Sequence, residues 1–156
     1  MCDEMHARLG RYLRAAGYDT VIAAPGAEDR TLISLAVSED RILLTGDRHI
    51  LSHRASRETQ VIILPPNGLE GSVKVLMKSC PINWLMAPFS RCLIDNTPLR
   101  PAGDEDIERI PVDARAFGDQ INVCPECRRV YWPGSHFKRM RHKLETWQAA
   151  SPEIDR

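Results

Sequence analysis

The chain has 156 residues, 43% of them hydrophobic and 27% charged, and its 21 basic and 21 acidic side chains balance to a formal net charge of +0. That length holds one ordinary domain, or one small domain plus a minor module, and the composition is that of an ordered globular chain. Balanced charge excludes overall electrostatics as an argument for nucleic-acid binding, so only local clusters count.

No apolar run approaches the roughly 18–20 residues needed to span a bilayer. The acidic opening Met1-Cys2-Asp3-Glu4 lacks a signal-peptide core. Of five cysteines, two form Cys124-Pro125-Glu126-Cys127. This pattern suits a metal site in a reducing compartment better than a disulfide framework, and a cytoplasmic location is expected.

Along the chain, Met5, Leu9, Tyr12, Leu13 and Ala16 share one face of a helix over 4–16, with Arg8, Arg11 and Arg14 mostly off it and Gly17 as its stop. Val21-Ile22-Ala23 is a short strand candidate. A helix carrying Leu32, Ile33, Leu35 and Ala36 follows, with Asp29 near its N-cap. Next comes Arg41-Ile42-Leu43-Leu44-Thr45-Gly46-Asp47-Arg48. A short continuous apolar run between turn signals predicts a strand buried on both faces. Asp47 then sits just past its carboxyl end, where ligands bind in open α/β sheets. Asp47 equally suits the N-cap of a helix over 48–54. Val61-Ile62-Ile63-Leu64 predicts a second strand, and Val73, Val75, Leu76 and Met77 a further helix. Alternating strands and helices of these lengths predict an α/β fold with a parallel sheet flanked by helices.

The character changes near Pro88. Short segments punctuated by Pro98, Pro101, Pro111 and Pro125 hold three of the five cysteines. Residues Ile121 to Val123 and Arg129 to Trp132 flank the Cys-x-x-Cys as a candidate hairpin. Ser135 is placed to cap a final helix through Leu144, and Ser151 to Arg156 form a polar tail.

Asp3, Asp29 and Asp47 each fall at a predicted helix start. In a parallel sheet, strand carboxyl ends and the helix starts after them share one edge. Three carboxylates meeting there would hold a hard divalent cation that activates water, with Glu4, Glu28 and Thr45 as auxiliaries. Three independent helix caps are the alternative. An acid cluster also suits a phospho-acceptor receiver, but that chemistry wants a nearby lysine, and the sheet portion has only Lys74 and Lys78.

Cys2-Asp3-Glu4-Met5 with Leu9-Gly10-Arg11-Tyr12-Leu13-Arg14 and Gly17-Tyr18-Asp19-Thr20 resembles the opening of the Mut-seven C-terminal RNase family. Residues 41–48 resemble its "LLTRD" strand. Arg91-Cys92, Cys124-Pro125-Glu126-Cys127 and Tyr131 to His136 resemble its ribbon, so the likeness runs from residue 2 to about 144. The resemblance implies a PIN-like nuclease domain over 1–88, a zinc ribbon with a basic helix over 89–145, and a tail over 146–156. It also implies metal-dependent hydrolysis of RNA by Mg²⁺ or Mn²⁺ at Asp3, Asp29 and Asp47. A non-catalytic RNA- or protein-binding module on the same fold is the alternative.

Three departures stand out. Gly46 replaces the arginine of "TRD". Cys92-Leu93-Ile94-Asp95 replaces a Cys-x-x-Cys knuckle. Only Met1 and Cys2 precede Asp3, where a first strand of roughly 5 residues is expected. The expectation drawn from the last is that the natural chain starts upstream, and that from Met1 onward Asp3 is loosely placed and the site weakened.

Within the ribbon, Cys92, Cys124 and Cys127 supply three zinc ligands. Asp95 has the spacing of the fourth, and His136, His142 and Cys80 are other candidates. Arg128, Arg129, Lys138, Arg139 and Arg141, with Lys143, cluster among Tyr131, Trp132 and Phe137. Basic and aromatic side chains together suit single-stranded RNA, although Tyr131 and Trp132 equally suit packing inside the protein.

Overall fold

The computed structural model describes residues 1–151, so the end of the expected polar tail, 152–156, lies outside the described residues. They fall into two compact units. Met1–Arg11 and Thr20–Ile82, with Ser151, form the first, and Tyr12–Asp19 and Asn83–Ala150 form the second. The chain passes from the first unit to the second after Ile82, and Tyr12–Asp19 belongs with the C-terminal unit.

In the first unit, β1 (Leu43–Thr45) pairs in parallel with β2 (Val61–Ile63), Leu44 opposite Ile62. On the other side of β1, Cys2 bridges in parallel to both Leu44 and Ile22. The residues ahead of Asp3 therefore fill an interior slot. Leu44 N–H donates to the Met1 carbonyl at 2.8 Å, Asp3 N–H to Leu44 at 3.0 Å, and Cys2 N–H to Val21 at 2.8 Å. The expected strand at Val21 to Ala23 is reduced to its single bridge at Ile22.

All three residues of β1 are buried, as a continuous apolar run requires. Leu43 packs with α2 (Asp29–Ser38), which sends Leu32, Ile33 and Ala36 into a core shared with Met1, Leu43 and Ile50. Each large aliphatic side chain buried this way contributes about 1.5–3 kcal/mol. α3 (Gly68–Ser79) buries Ser72, Val73 and Leu76.

The helix expected over 48–54 is instead two 3₁₀ turns, Arg48–Ser52 and Arg54–Glu58, with His53 extended between them. Ile50 and Ser56 are the buried side chains of those two turns. A stretch this short with no apolar stripe gains too little packing to hold an α-helix.

α1 (Ala7–Ala15) follows a 3₁₀ turn at Glu4–His6, and begins in the first unit and ends in the second. Leu9, Tyr12, Leu13 and Ala16 are buried as their spacing predicts, whereas Met5, in the turn, is 72% exposed. Gly17 ends the helix at φ 101°, and a Cβ there would fall 2.6 Å from the Ala87 carbonyl oxygen. Only glycine meets both demands.

The second unit holds a three-stranded antiparallel sheet, β3 (Arg100–Pro101), β4 (Asn122–Val123) and β5 (Val130–Tyr131), in that order. β4 and β5 form the expected hairpin around the Cys-x-x-Cys. Between β3 and β4, Asp106 is buried and accepts from the Arg100 guanidinium at 2.7 Å and from Gly103 N–H at 3.0 Å. Ile110, Ala114 and Ile121 form a small core there.

α4 runs over Ser135–Ala150, past Leu144, where the last helix was expected to stop. Met140, Leu144 and Trp147 continue one buried stripe, and Trp147 packs 4.9 Å from the rings of both Tyr12 and Trp84. The stretch expected as tail from 146 onward is therefore helical to Ala150. Among the described residues no helix is long and apolar enough to cross a membrane.

Candidate active site and metal centre

Asp3 lies where β1 ends. Its carboxylate is 6% exposed and takes three donors: His6 N–H on Oδ1 at 3.0 Å, and the Thr45 hydroxyl and Gly46 N–H on Oδ2 at 2.5 and 3.0 Å. Asp3 is thus firmly placed, contrary to the expectation from the short opening. Main-chain pairing of Met1 and Cys2 on both sides orients it. Asp47 N–H in turn donates to the Thr45 hydroxyl oxygen at 3.0 Å. One buried threonine therefore links the two acids at the carboxyl end of the buried strand. The Asp47 carboxylate is exposed and caps the first 3₁₀ turn, accepting from His49 N–H at 2.7 Å.

Asp29 is the first residue of α2, with Glu28 in the cap position. Its Oδ2 lies 3.5 Å from His53 Nε2. Glu4 accepts from Gly26 N–H at 2.7 Å. The Asp3 carboxylate and the Asp47 backbone N–H thus meet at one hydroxyl, while the Asp47 carboxylate turns to His49 N–H and Asp29 lies against the His53 ring.

His6 was not singled out by its sequence. Its Nδ1 lies 3.4 Å from the Ser72 hydroxyl, which itself donates to the Gly68 carbonyl at 3.1 Å. The ring's Nε2 is buried without a hydrogen-bond partner among the described residues. It lies 3.1 Å from where a Cβ of Gly46 would stand. The one signal in the sequence was Gly46 itself, at a position where a large basic side chain was expected.

In the second unit the ligand atoms of Cys92, Asp95, Cys124 and Cys127 all lie within 4.8 Å of one another. Among the described residues this is the one such set of three or more, and Asp3, Asp29 and Asp47 do not form a second. Two matching turns build it. Cys92 N–H donates to the Thr97 carbonyl and Asn96 N–H returns to Cys92, while Cys124 N–H donates to Arg129 and Arg128 N–H returns to Cys124. Asn96 and Arg128 both adopt positive φ, 75° and 60°. Asp95 therefore occupies the turn position that Cys127 holds in the other knuckle. It completes the set, and Cys80, His136 and His142 stand outside it.

The spacing suits a tetrahedral ion. Two thiolates at about 2.3 Å from zinc stand roughly 3.8 Å apart, and Cys92 and Cys127 Sγ are 3.7 Å apart. The cluster is thus able to bind a metal such as zinc. Burial raises the Asp95 carboxyl, but hydrogen bonds from the Cys127 thiol, Thr97 N–H and the Cys92 and Cys124 thiols outweigh it and hold it well below the usual carboxylate range. Burial, then the bond to Asp95, pushes the Cys127 thiol up to about 12. A divalent cation would reverse that balance, because thiolate is the ligand form.

Two further groups support the knuckle. The Tyr131 hydroxyl accepts from Leu93 N–H at 3.0 Å and lies 3.1 Å from Cys92 Sγ. Arg14, expected off the buried face of its helix, is 5% exposed and donates to the Leu93 and Ile94 carbonyls at 3.0 and 2.6 Å.

Arg128, Arg129, Lys138, Arg139 and Arg141 are all exposed. Arg141 pairs with Glu145 at 2.9 Å and Lys143 lies over Trp147. The aromatic residues among them are used internally. Tyr131 supports the knuckle, Trp132 packs on the Ile110 core, and Phe137 stacks on Phe89 at 3.9 Å.

Comparison with curated proteins and with solved structures yields no significant match. A family description does match. The Mut7-C RNAse domain covers residues 1–144, taking in both the acid-bearing edge of β1 and the Cys–Asp cluster. Membership points to a nuclease acting on RNA, and with that coverage the chain belongs to the Mut7-C RNAse domain family.

Proposed function

We propose that this chain is a metal-dependent ribonuclease of PIN-like architecture that hydrolyses phosphodiester bonds of single-stranded RNA. The observation that carries the reading is the Asp3–Thr45–Asp47 linkage at the carboxyl end of a buried parallel strand, in a chain of an RNase family. Carboxylate oxygens are the donor type that Mg²⁺ and Mn²⁺ prefer, and Asp3, Asp47 and Asp29 are the residues that would hold such an ion. When bound, the ion supplies an acidified water and neutralises charge developing on the phosphate. Thr45 keeps Asp3 and Asp47 in register. Zinc in the Cys92, Asp95, Cys124 and Cys127 set would be structural. Exposed Arg128, Arg129, Lys138, Arg139 and Arg141 supply phosphate contacts, without aromatic stacking from Tyr131, Trp132 or Phe137.

The test is cleavage of labelled single-stranded RNA in Mn²⁺, with and without chelator, beside Asp47→Asn. Asparagine caps a helical turn as well as aspartate does, so the variant keeps its fold. Cleavage should fall by roughly a hundredfold or more, the scale of losing a catalytic electrostatic group. Full activity in Asp47→Asn removes this residue from the mechanism. A second reading, an RNA-binding module without cleavage, is favoured by the Asp29–His53 pair and by the acids not forming one set. RNA binding with no Mn²⁺-dependent product would establish that reading.

A further inference from the structure

A groove of about 580 Å³ lies between α2 and the second 3₁₀ turn. Its polar lining is Arg30, Ser34 and Ser38 from the helix, and His53, Arg54 and Glu58 from the turn side, over apolar Ile33 and Val37. The metal centre does not use this groove, which adjoins Asp29, one of the proposed catalytic acids. Asp29 precedes Arg30 in the chain, and His53, on the groove wall, is the side chain paired with Asp29.

The segment on the turn side is basic in a protein whose overall charge is balanced. Residues 48–57 carry Arg48, His49, His53, Arg54 and Arg57 and no acid. Arg30 and Arg54 are exposed, one from each wall. Guanidinium groups present planar forks that match phosphate oxygens, and serine hydroxyls add neutral donors. Resting on the ribonuclease reading, we infer that this groove is a phosphate-binding track for the substrate, in which Arg30 and Arg54 hold the sugar–phosphate backbone of single-stranded RNA beside Asp29. Glu58 is the one acid on the wall and opposes that binding.

This assignment makes predictions of opposite sign within one groove. RNA affinity is measured by fluorescence anisotropy over a salt series, in an Asp47→Asn background with zinc retained. Arg30→Glu and Arg54→Glu should each weaken binding by roughly fivefold or more. They should also flatten the dependence of log affinity on log salt by about 0.7, the contribution of one single-strand phosphate contact. Glu58→Gln should tighten binding. Arg57→Glu, in the same basic segment but off the groove wall, should change affinity much less than Arg54→Glu does. Circular dichroism melts check that these exposed substitutions leave the fold intact.

Unchanged affinity and salt slope in both arginine variants overturns the assignment, as does an equal loss in Arg57→Glu or no RNA binding by the parent. With otherwise wild-type chains, Arg54→Glu should raise KM for cleavage with little change in kcat. Failure of the wild-type protein to cleave RNA in Mn²⁺ sinks the nuclease reading, while the binding measurements still decide the groove.

Discussion

The acid edge of the first unit and the Cys–Asp cluster of the second are built on opposite principles. In the cluster, four ligand side chains stand within 4.8 Å of one another, held by two matching turns. At the acid edge each carboxylate is satisfied by its own neighbours: Asp3 by Thr45, Gly46 and His6, Asp47 by His49, and Asp29 by His53. The difference is one of charge. Thiols are neutral with their protons on and can crowd around one carboxylate, donating to it. Carboxylates are charged at neutral pH and repel unless each finds a donor. The lesson is that a soft site can be assembled by backbone turns alone, whereas an acid site is first stabilised by local donors.

Breaking the cluster should have the largest effect. Cys124→Ser, or a strong chelator on the wild type, should abolish zinc binding and melt the region after Pro88 before the first unit. Structural zinc contributes up to about 10–16 kcal/mol in small zinc-dependent folds. Hydrogen exchange resolved by segment is the measurement. Unchanged protection after Pro88 on chelation would show that the cluster binds no metal of structural weight.

The acid edge should break more gently and at one residue rather than another. Asp3→Asn replaces an oxygen that accepts inside the protein with an amide that donates. Leaving buried donors unpaired costs about 1–3 kcal/mol, read as a shift in the urea midpoint. Asp47→Asn keeps its cap and should stay within about 0.5 kcal/mol of the parent. Equal losses in the two variants would contradict the separate anchoring of these acids.

Asp95→Cys sharpens the other side. It makes the two knuckles chemically alike and should tighten zinc roughly tenfold or more, since thiolate is the softer ligand. Competition with a colorimetric chelator measures it. Unchanged affinity would remove Asp95 from the coordination set.

The smallest effect should be a pH dependence confined to the second unit. The Arg100 hydrogen bond, with help from Gly103 N–H, lowers the Asp106 carboxyl below its ordinary range. A lowered pKa means that this carboxylate adds stability above its unfolded value, about 3.9, and loses it as pH falls through the folded value. Arg100→Met should therefore be less stable than the parent at pH 7, and the gap should narrow below about pH 3.9. A gap that stays constant into acid would mean that Arg100 acts by packing alone.

Much of this was legible along the chain because it is local. Leu43 and Leu44 announce a strand buried on both faces. Leu9, Tyr12, Leu13 and Ala16 mark a helix face, and the Cys-x-x-Cys with its flanking apolar pairs marks a hairpin. The place of Asp95 beside Cys92, Cys124 and Cys127 was readable because a knuckle is a turn of fixed length, and its spacing from Cys92 matches that of Cys127 from Cys124.

Other features were decided by the tertiary structure, for reasons that no local pattern carries. Met1 and Cys2 fill a sheet slot because Ile22 and Leu44 offer main-chain partners on either side. Arg14 is buried because distant carbonyls at Leu93 and Ile94 accept its hydrogen bonds. Residues 48–58 coil into 3₁₀ turns because they bury too little to pay for an α-helix. His6 lies against Gly46, and Asp29 meets His53, only once the strand and helices are packed. Periodicity and spacing determine what a segment can form by itself. Which donors a buried charge finds is set by atoms far away in the chain.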